Sequence, residues 1–230
     1  MYLTEFEKYL GTGEKNNEGK DLKMFLEEYD PKRYDSPCNT VDNVIFTYVE
    51  ENGKKKINKV LLIKRANHPS IGWWALPGGF VDYKENLETA AMRELEEATN
   101  LKDVRGVQFA TFGEYDRDPR TRIITTAYVF VEEEGKLTAT AGDDASDAKW
   151  YDIDIKYIGE SPDSTKVVKK SLYDITFRYA DIKPSARVEV TEDYRNLLTS
   201  REYKIVDNNL IAADHAAIIL QAWDFVNERI

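Results

Sequence analysis

Apolar and polar residues recur along this chain with two different periods, and each period predicts a type of element. An alternation with a period of two, in segments rich in Val, Ile, Thr, Phe and Tyr, predicts strands. The predicted strands are residues 39–49, 57–64, 107–112, 122–131, 172–179, 186–191 and 202–206, with weaker candidates at 137–140 and 148–152. A period near 3.6 predicts helices at residues 20–29, 87–99 and 211–229. Asn86 and Asn100 are suited to cap the second helix.

The order of these elements predicts one main domain behind a polar extension. Residues 1–38 are polar and irregular apart from the short first helix, so we expect an N-terminal extension. Short strands mixed with helices over residues 39–230 predict a mixed α/β or α+β fold. We interpret residues 154–170 as a polar linker or loop, within a small antiparallel, β-rich insertion at residues 155–209. We expect this insertion to pack near the site or at a dimer interface.

The segment 87–101 carries carboxylates on its apolar side. At about 100° per residue, one broad side holds the apolar positions, which are Leu87, Ala90, Ala91, Leu95, Ala98 and Leu101. Glu94 falls in the middle of that side and Glu97 at its edge, whereas Glu88 and Glu96 point the other way. An acidic surplus in water explains the last two. It does not explain Glu94, because a carboxylate on an apolar face is costly unless it is paired or binds a metal.

Glu94 and Glu97 are therefore candidate ligands of a cation. Their i, i+3 spacing lets both carboxylates reach one ion, and Arg93 is placed to pair with Glu97 at i, i+4. The chain has 2 His and 1 Cys, which excludes a zinc site built on these residue types. Oxygen ligands, and hence Mg²⁺ or Mn²⁺, are expected. The glycines at 78 and 79 can bring the backbone close to a ligand.

At fixed spacing these residues resemble the box of the Nudix hydrolases. The pattern is G-x5-E-x7-R-E-U-x-E-E-x-G-U, in which U is aliphatic, and it is matched by Gly79, Glu85, Arg93, Glu94, Leu95, Glu97 and Leu101. Residues 74–81 and 142–150 are similar to the ADP-ribose-processing branch, and residues 214–216 to the start of the closing helix. The resemblance covers about residues 39–152 and 210–230.

The resemblance implies a Nudix fold, with a mixed sheet sandwiched between helices, and the hydrolysis of a pyrophosphate bond. ADP-ribose or a similar nucleotide sugar is the implied substrate. Glu94, Glu97 and the Gly78 carbonyl are the implied ligands of Mg²⁺ or Mn²⁺, which polarises the phosphates. Arg93 would hold a glutamate in place, and Glu85 would tie the loop to the helix. The candidates for a base are Glu114, Asp116, Asp143, Asp144 and Asp147, each of which is also explained as a solvated surface acid.

Two positions depart from the Nudix pattern. Asn100 replaces a glycine, a mild change because Asn tolerates a left-handed conformation. Ala98 replaces a glutamate that is a principal metal ligand in the family, and its loss weakens a hard-cation site. The alternative to an enzyme is therefore a domain that binds a nucleotide or sugar ligand as a sensor or regulator.

The candidate substrate contacts are arginines and aromatic residues near the box. Arg117, Arg120 and Arg122 could contact a phosphate or ribose, or form a loop laced with salt bridges. Trp73, Trp74 and Phe80 could stack on a base, although packing in the core is a common fate of such side chains. We interpret His68 and His215 as structural.

The charge bears on partners. The chain of 230 residues has 32 Lys and Arg against 42 Asp and Glu, for a formal net charge of −10. This surplus argues against a nucleic-acid partner, since phosphate backbones are bound by clustered basic residues. No apolar stretch approaches the roughly 18 residues of a spanning helix, and the first residues do not resemble a signal peptide. We therefore expect a cytoplasmic protein that does not contact membranes, and a homodimer.

Overall fold

The structure is a computed structural model that describes residues 5–102, 104–137 and 145–230. The chain forms two compact units, Met1–Pro37 and Cys38–Ile230. The first unit contains a short 3-10 helix, Glu7–Tyr9, and helix α1, Leu22–Glu28. The Asp21 carboxylate accepts a hydrogen bond of 2.9 Å from the Met24 amide. Helix α1 buries none of its residues, so capping rather than a core fixes its start.

Over its described residues, the second unit is built on one sheet of ten strands. The strands are β1 (Cys38–Glu51), β2 (Lys54–Arg65), β3 (Trp74–Ala75), β4 (Gly78–Phe80), β5 (Val107–Phe112), β6 (Ile123–Glu133), β7 (Ala145–Glu160), β8 (Val168–Arg178), β9 (Ser185–Asp193) and β10 (Ser200–Asn209). Their order is β10-β9-β8-β7-β2-β1-β6-β5, with β3 paired to β2 and β4 to β1. Strands β1 and β6 are parallel and the other pairs antiparallel. The predicted mixed sheet is confirmed.

Two helices, α2 (Leu87–Thr99) and α3 (His215–Asn227), cover opposite faces of this sheet. Alternate residues of β1 separate the two cores, because side chains alternate across a strand. Val41 and Ile45 pack with α2, whereas Val44 and Phe46 pack with α3. The middle of the sheet is thus buried on both sides, as the sandwich prediction requires.

The sequence prediction was wrong for residues 154–170. Strand β7 runs on to Glu160 and β8 already begins at Val168, so only a short connection separates them. In the part of β7 that leads into this stretch, Ile153 and Ile155 face the α3 core, while Asp152 and Asp154 alternate with them. This half-buried alternation was misread as a polar linker. Strands β8 to β10 therefore continue the main sheet. The weak strand predicted at 137–140 falls mostly on residues outside those described.

Helix α2 begins and ends at the residues that periodicity predicted. Asn100 follows it in the left-handed conformation, with φ 59°, and its amide donates to the Glu96 carbonyl at 2.7 Å. Asn86 precedes it, but its side chain makes no cap hydrogen bond. None of the helices in the described ranges is long and apolar enough to span a membrane.

Candidate active site

Arg93 of α2 gathers three carboxylates around one guanidinium. Its Nε and Nη2 donate to the two oxygens of Glu85 at 2.9 and 2.7 Å. Its Nη1 donates to Glu94 at 2.7 Å and to Glu97 at 3.1 Å. The Phe80 carbonyl accepts a further bond from Nη2, of 3.0 Å. The predicted Arg93–Glu97 pair is thus present, and the box residues lie together as one cluster.

Hydrogen bonding in this cluster shifts protonation. The bonds from Arg93 lower the pKa of Glu85, against a smaller opposing effect of burial. The same bonds, first from Glu85 and then from Glu94, raise the pKa of Arg93 well above its ordinary value. Glu85 and Arg93 are therefore both charged near neutral pH, and Arg93 brings a positive charge to the carboxylates that it bonds.

The glycines at 78 and 79 form a thin wall between this cluster and a cleft. A Cβ on Gly79 would lie 2.3 Å from a Glu94 carboxylate oxygen. A Cβ on Gly78 would lie 2.2 Å from the Val41 carbonyl oxygen and 3.0 Å from an Asp42 carboxylate oxygen. Only glycine lets β4 pass this close to β1 and α2 at once.

The register of β4 directs the Gly78 carbonyl away from β1. The Asn43 amide donates to the Pro77 carbonyl at 2.8 Å, and the Val81 amide to the Asn39 carbonyl at 3.0 Å. Gly78 lies opposite Asp42 at a position between these bonds. Its carbonyl therefore points in the same direction as the carbonyl of Phe80, two residues further on. The Phe80 carbonyl accepts a hydrogen bond from Arg93 of α2. Glu94, Glu97 and this carbonyl offer oxygens that fit a hard cation.

Ala98 stands at the position where the Nudix pattern has a glutamate, and its surroundings are apolar. It is 7% exposed and packs with small or aliphatic residues, namely Ile63, Ala75, Ala148 and Ala212. Within the described ranges, no group of three or more His, Cys, Asp or Glu side chains could hold a metal ion. Two carboxylates and a carbonyl bind Mg²⁺ weakly unless water and substrate phosphates complete the shell.

A cleft of about 470 Å³ opens on the other side of the glycine wall, where α3 begins. Three arginines line it, Arg65, Arg117 and Arg120, with Asp42 and Asp118. Its volume is that of ordinary small-ligand sites. Among the described residues of the lining, three arginines face two aspartates, and this positive excess favours an anionic ligand.

The three cleft arginines have different partners. Arg117 donates to both oxygens of Asp214 at 2.8 and 2.9 Å, and Arg120 to those of Asp118 at 3.0 and 2.8 Å. The Arg65 Nε donates to the Pro69 carbonyl at 2.7 Å, but no carboxylate of the described residues pairs with Arg65. Burial, and then the charge of Arg120, lower the pKa of Arg65. Arg65 is the cleft arginine best suited to take an anion.

The predicted substrate contacts differ in whether they line the cleft. Phe80 is 45% exposed, lines the cleft and lies 5.3 Å from the Arg120 guanidinium. Trp74 is 3% exposed and packs edge-on against Tyr151, which leaves no open ring face, so we withdraw it as a stacking residue. Arg122 is exposed and outside the cleft lining, so the structure does not bring it to the ligand. Trp73 does not line the cleft either.

Of the candidate bases, the three that the structure describes are not brought to the cleft. Glu114 and Asp116 are exposed and outside its lining, and Asp147 pairs with Lys149 at 2.7 Å. Asp143 and Asp144 lie outside the described residues.

Sequence reasoning missed three cleft residues, Asp42, Arg65 and His215. Asp42 interrupts an apolar strand, and that interruption was a usable signal. His215 was interpreted as structural, and its Nδ1 does accept the Leu76 amide at 2.8 Å. The other ring nitrogen lies toward the cleft, 3.8 Å from Asp42.

Known proteins resemble this chain in sequence and structure. The family model of the NUDIX domain matches residues 40–170. The ADP-ribose pyrophosphatase of Methanocaldococcus jannaschii is 37% identical over 134 residues, which are 57% of this chain and 73% of that protein. The ADPR responsive transcriptional repressor NtrR of Acinetobacter baylyi is 42% identical over 108 residues, which are 46% of this chain and 41% of that protein.

A solved structure agrees over most of the chain. The NUDIX domain of Shewanella oneidensis NrtR, complexed with ADP ribose, is 27% identical with a TM-score of 0.57. The match covers 90% of this chain and 99% of that domain. With its box on α2 and its sheet between two helices, the chain belongs to the NUDIX family and is of the ADP-ribose pyrophosphatase-like kind.

Proposed function

We propose that this protein binds ADP-ribose or a similar nucleoside diphosphate sugar in the cleft, and acts as a sensor or regulator. The observation that carries the binding is Arg65, a half-buried guanidinium without a carboxylate partner among the described residues. It would hold a phosphate, while Phe80 and Arg120 would contact the base. An ADP-ribose pyrophosphatase, an ADPR responsive repressor and an ADP-ribose complex among the similar proteins support this ligand class.

The observation against efficient hydrolysis is the packing around Ala98. A glutamate at this position would supply a third anionic oxygen ligand, but the chain has a methyl group among apolar neighbours. Stabilising the charge that develops during pyrophosphate cleavage depends on firmly held cations. We therefore rank the binding function first.

Hydrolysis is the second candidate function, and the box cluster favours it. Glu94 and Glu97 lie on one side of α2, and both accept bonds from Arg93. With the Gly78 carbonyl they would hold Mg²⁺ or Mn²⁺, which would polarise the pyrophosphate and lower the pKa of a bound water. Arg93 would fix the orientation of both glutamates, and Glu85 would fix Arg93.

Calorimetry and a turnover assay test both functions. The protein should bind ADP-ribose without added metal, and Arg65→Ala should weaken binding by about 10- to 100-fold, as expected for a lost bond to a charged group. Arg122→Ala is the matched control, because this arginine lies outside the cleft lining. No binding to any nucleotide sugar would contradict the proposal.

Release of AMP from ADP-ribose with Mg²⁺ would decide between the two functions. On the first, the wild type releases little AMP and Ala98→Glu raises the rate. On the second, the wild type is already active and Glu94→Gln abolishes activity. The N-terminal extension, the homodimer, the cytoplasmic location and the absence of a nucleic-acid partner stay predictions from the sequence.

A further inference from the structure

A buried carboxylate in the cleft lacks a hydrogen-bond donor. Asp42 is 7% exposed and lines the cleft. Its nearest basic neighbours are Arg117 Nη2 at 3.7 Å and His215 Nε2 at 3.8 Å, both too far for hydrogen bonds. No other group of the described residues donates to it. A carboxylate has about four acceptor sites, and the Asp42 oxygens, which are not fully enclosed, can receive donors from the cleft.

The two neighbours are held in place by other bonds. Arg117 is committed to Asp214 through two nitrogens. The Nδ1 of His215 accepts the Leu76 amide, so in the neutral ring the proton is on Nε2, toward Asp42. Arg117 therefore offsets the charge of Asp42 from a distance, and both groups leave its oxygens available to the cleft.

The wall residue Gly78 keeps one of these oxygens uncovered. Any Cβ at this position would come within 3.0 Å of Asp42 Oδ1. The strand thus brings a backbone without a side chain against the carboxylate, on the side where the cleft opens.

The charge around Asp42 restricts what it can bind. A phosphate would be repelled by the carboxylate and is better placed at Arg65, which lines the same cleft and has no carboxylate partner among the described residues. A metal ion or amine is disfavoured by the three arginines that line the cleft. Neutral hydrogen-bond donors remain as partners for Asp42. In a nucleoside diphosphate sugar, the ribose hydroxyls are the richest source of such donors.

We propose that Asp42 accepts hydrogen bonds from ribose hydroxyls of the ligand and thereby selects sugar-bearing diphosphates over bare phosphates. This inference rests on the proposed binding function. It assigns two poles to the cleft, in which Arg65 takes the anionic part and Asp42 the hydroxyl part. Pairing of vicinal hydroxyls with a carboxylate is a general way to recognise ribose.

Calorimetry with the full chain tests the inference, using ADP-ribose, its 2′-deoxyadenosine analogue, ADP and inorganic pyrophosphate. Asp42→Asn should weaken ADP-ribose binding by about 10- to 100-fold, while pyrophosphate binds equally or more tightly because a negative charge is lost. Asp154→Asn, the same change at a partly exposed strand position outside the cleft lining, is the matched control. The inference is supported if Asp42→Asn weakens the binding of ADP-ribose but not that of pyrophosphate.

The ligand series shows which sugar is held. If the deoxy analogue binds the wild type more weakly, and Asp42→Asn removes that difference, the adenosine ribose is the partner. If ADP is the weaker ligand and Asp42→Asn leaves its affinity unchanged, the terminal ribose is the partner. Equal loss of ADP-ribose and pyrophosphate in Asp42→Asn would overturn the inference.

Failure of the proposed function is a separate result, because the wild type would then bind none of the nucleotides. If Asp42→Asn does not fold, the wild-type series still decides. Equal affinity for ADP-ribose, the deoxy analogue and ADP would overturn the inference, whereas a loss on removing either sugar's hydroxyls would support it.

Discussion

Two arginines of this protein each bond a carboxylate through two nitrogens, yet they lie in differently covered parts of the sheet. Arg93 on α2 holds Glu85 at 2.9 and 2.7 Å, and the side chains are 29% and 11% exposed. Arg187 on β9 holds Asp174 at 2.6 and 2.9 Å, and the side chains are 44% and 37% exposed. The two pairs have similar bond lengths, so any difference in their contribution to stability must come from their surroundings.

The surroundings of the two pairs differ because the strands beside them are covered by helices to different extents. In β1, between α2 and α3, every residue from 40 to 47 is buried. In β8 only Ser171, Ile175 and Phe177 are buried, because this strand meets an apolar core on one face alone. Its other face carries cross-strand ion pairs, such as that of Asp174 with Arg187 on β9.

The difference indicates where charge determines structure. Beside the doubly covered strands, Arg93 is the shared partner of three acids, and removing it leaves like charges together. On the singly covered strands each exposed pair can be replaced by water. The site is built in the first region, and the outer strands mainly enlarge the α3 core.

The largest loss of stability is expected when a methyl group is added to the glycine wall, beside the doubly covered strands. Gly78→Ala should lower the free energy of unfolding by about 2 to 3 kcal/mol, because the new Cβ meets a backbone oxygen of β1 that cannot move aside. Gly79→Ala should cost less, since it meets the movable Glu94 side chain. Urea unfolding measures both.

Gly113→Ala is the matched control for the wall. Its Cβ would meet only an Arg122 nitrogen at 4.0 Å, an ordinary contact, so stability should hardly change. A loss for Gly113→Ala as large as that for Gly78→Ala would contradict the steric account.

The next largest effect is expected at Arg93. Arg93→Ala should cost about 2 kcal/mol, less than a fully buried pair because the guanidinium is partly exposed. Arg93→Lys should recover only part of this, since an ammonium cannot make the two-pronged bond to Glu85. Thermal and urea unfolding of the three proteins check the order, and a lysine variant as stable as the wild type would refute it.

A smaller effect is expected from the protonation of Glu85 alone. Its pKa is lowered by Arg93 in the folded state, so the stability it contributes is present above its unfolded value of about 4.3 and is lost as pH falls through the folded pKa. The stability gap between wild type and Glu85→Gln should therefore shrink as pH falls below about 4.3. In an Arg93→Ala background that shrinkage should vanish, and its persistence there would exclude Arg93 as the cause.

The same contrast shows how far the sequence predicts this fold. Helix α2 was predicted with its ends because its apolar period is regular and Asn100 accepts the left-handed conformation at its end. Strands β8 to β10 were predicted because a single buried face produces alternation. The end of β7 was missed, since Asp154 and Lys156, on either side of Ile155, made the half-buried strand look like a linker.

The site was predictable only where its contacts are local. The Arg93–Glu97 pair follows from helical spacing, and Glu85 from a recognised pattern. The cleft depends on distant pairings, such as that of the Leu76 amide with His215, 139 residues apart. Asp42 and Arg65 come to that cleft from β1 and β2, and no local pattern states that those strands and the start of α3 meet.

The smallest effect is expected on the singly covered strands. Arg187→Ala should leave the free energy of unfolding almost unchanged, because its bonds to Asp174 compete with water and salt. A double-mutant cycle with Asp174→Asn measures the pair itself, and a cycle of Arg93→Ala with Glu85→Gln is its counterpart beside the covered strands. The coupling at Arg93 should exceed that at Arg187 several-fold in low salt and by a larger ratio in high salt, since screening acts most on exposed pairs. Equal couplings would mean that the covering helices do not set the worth of these ion pairs.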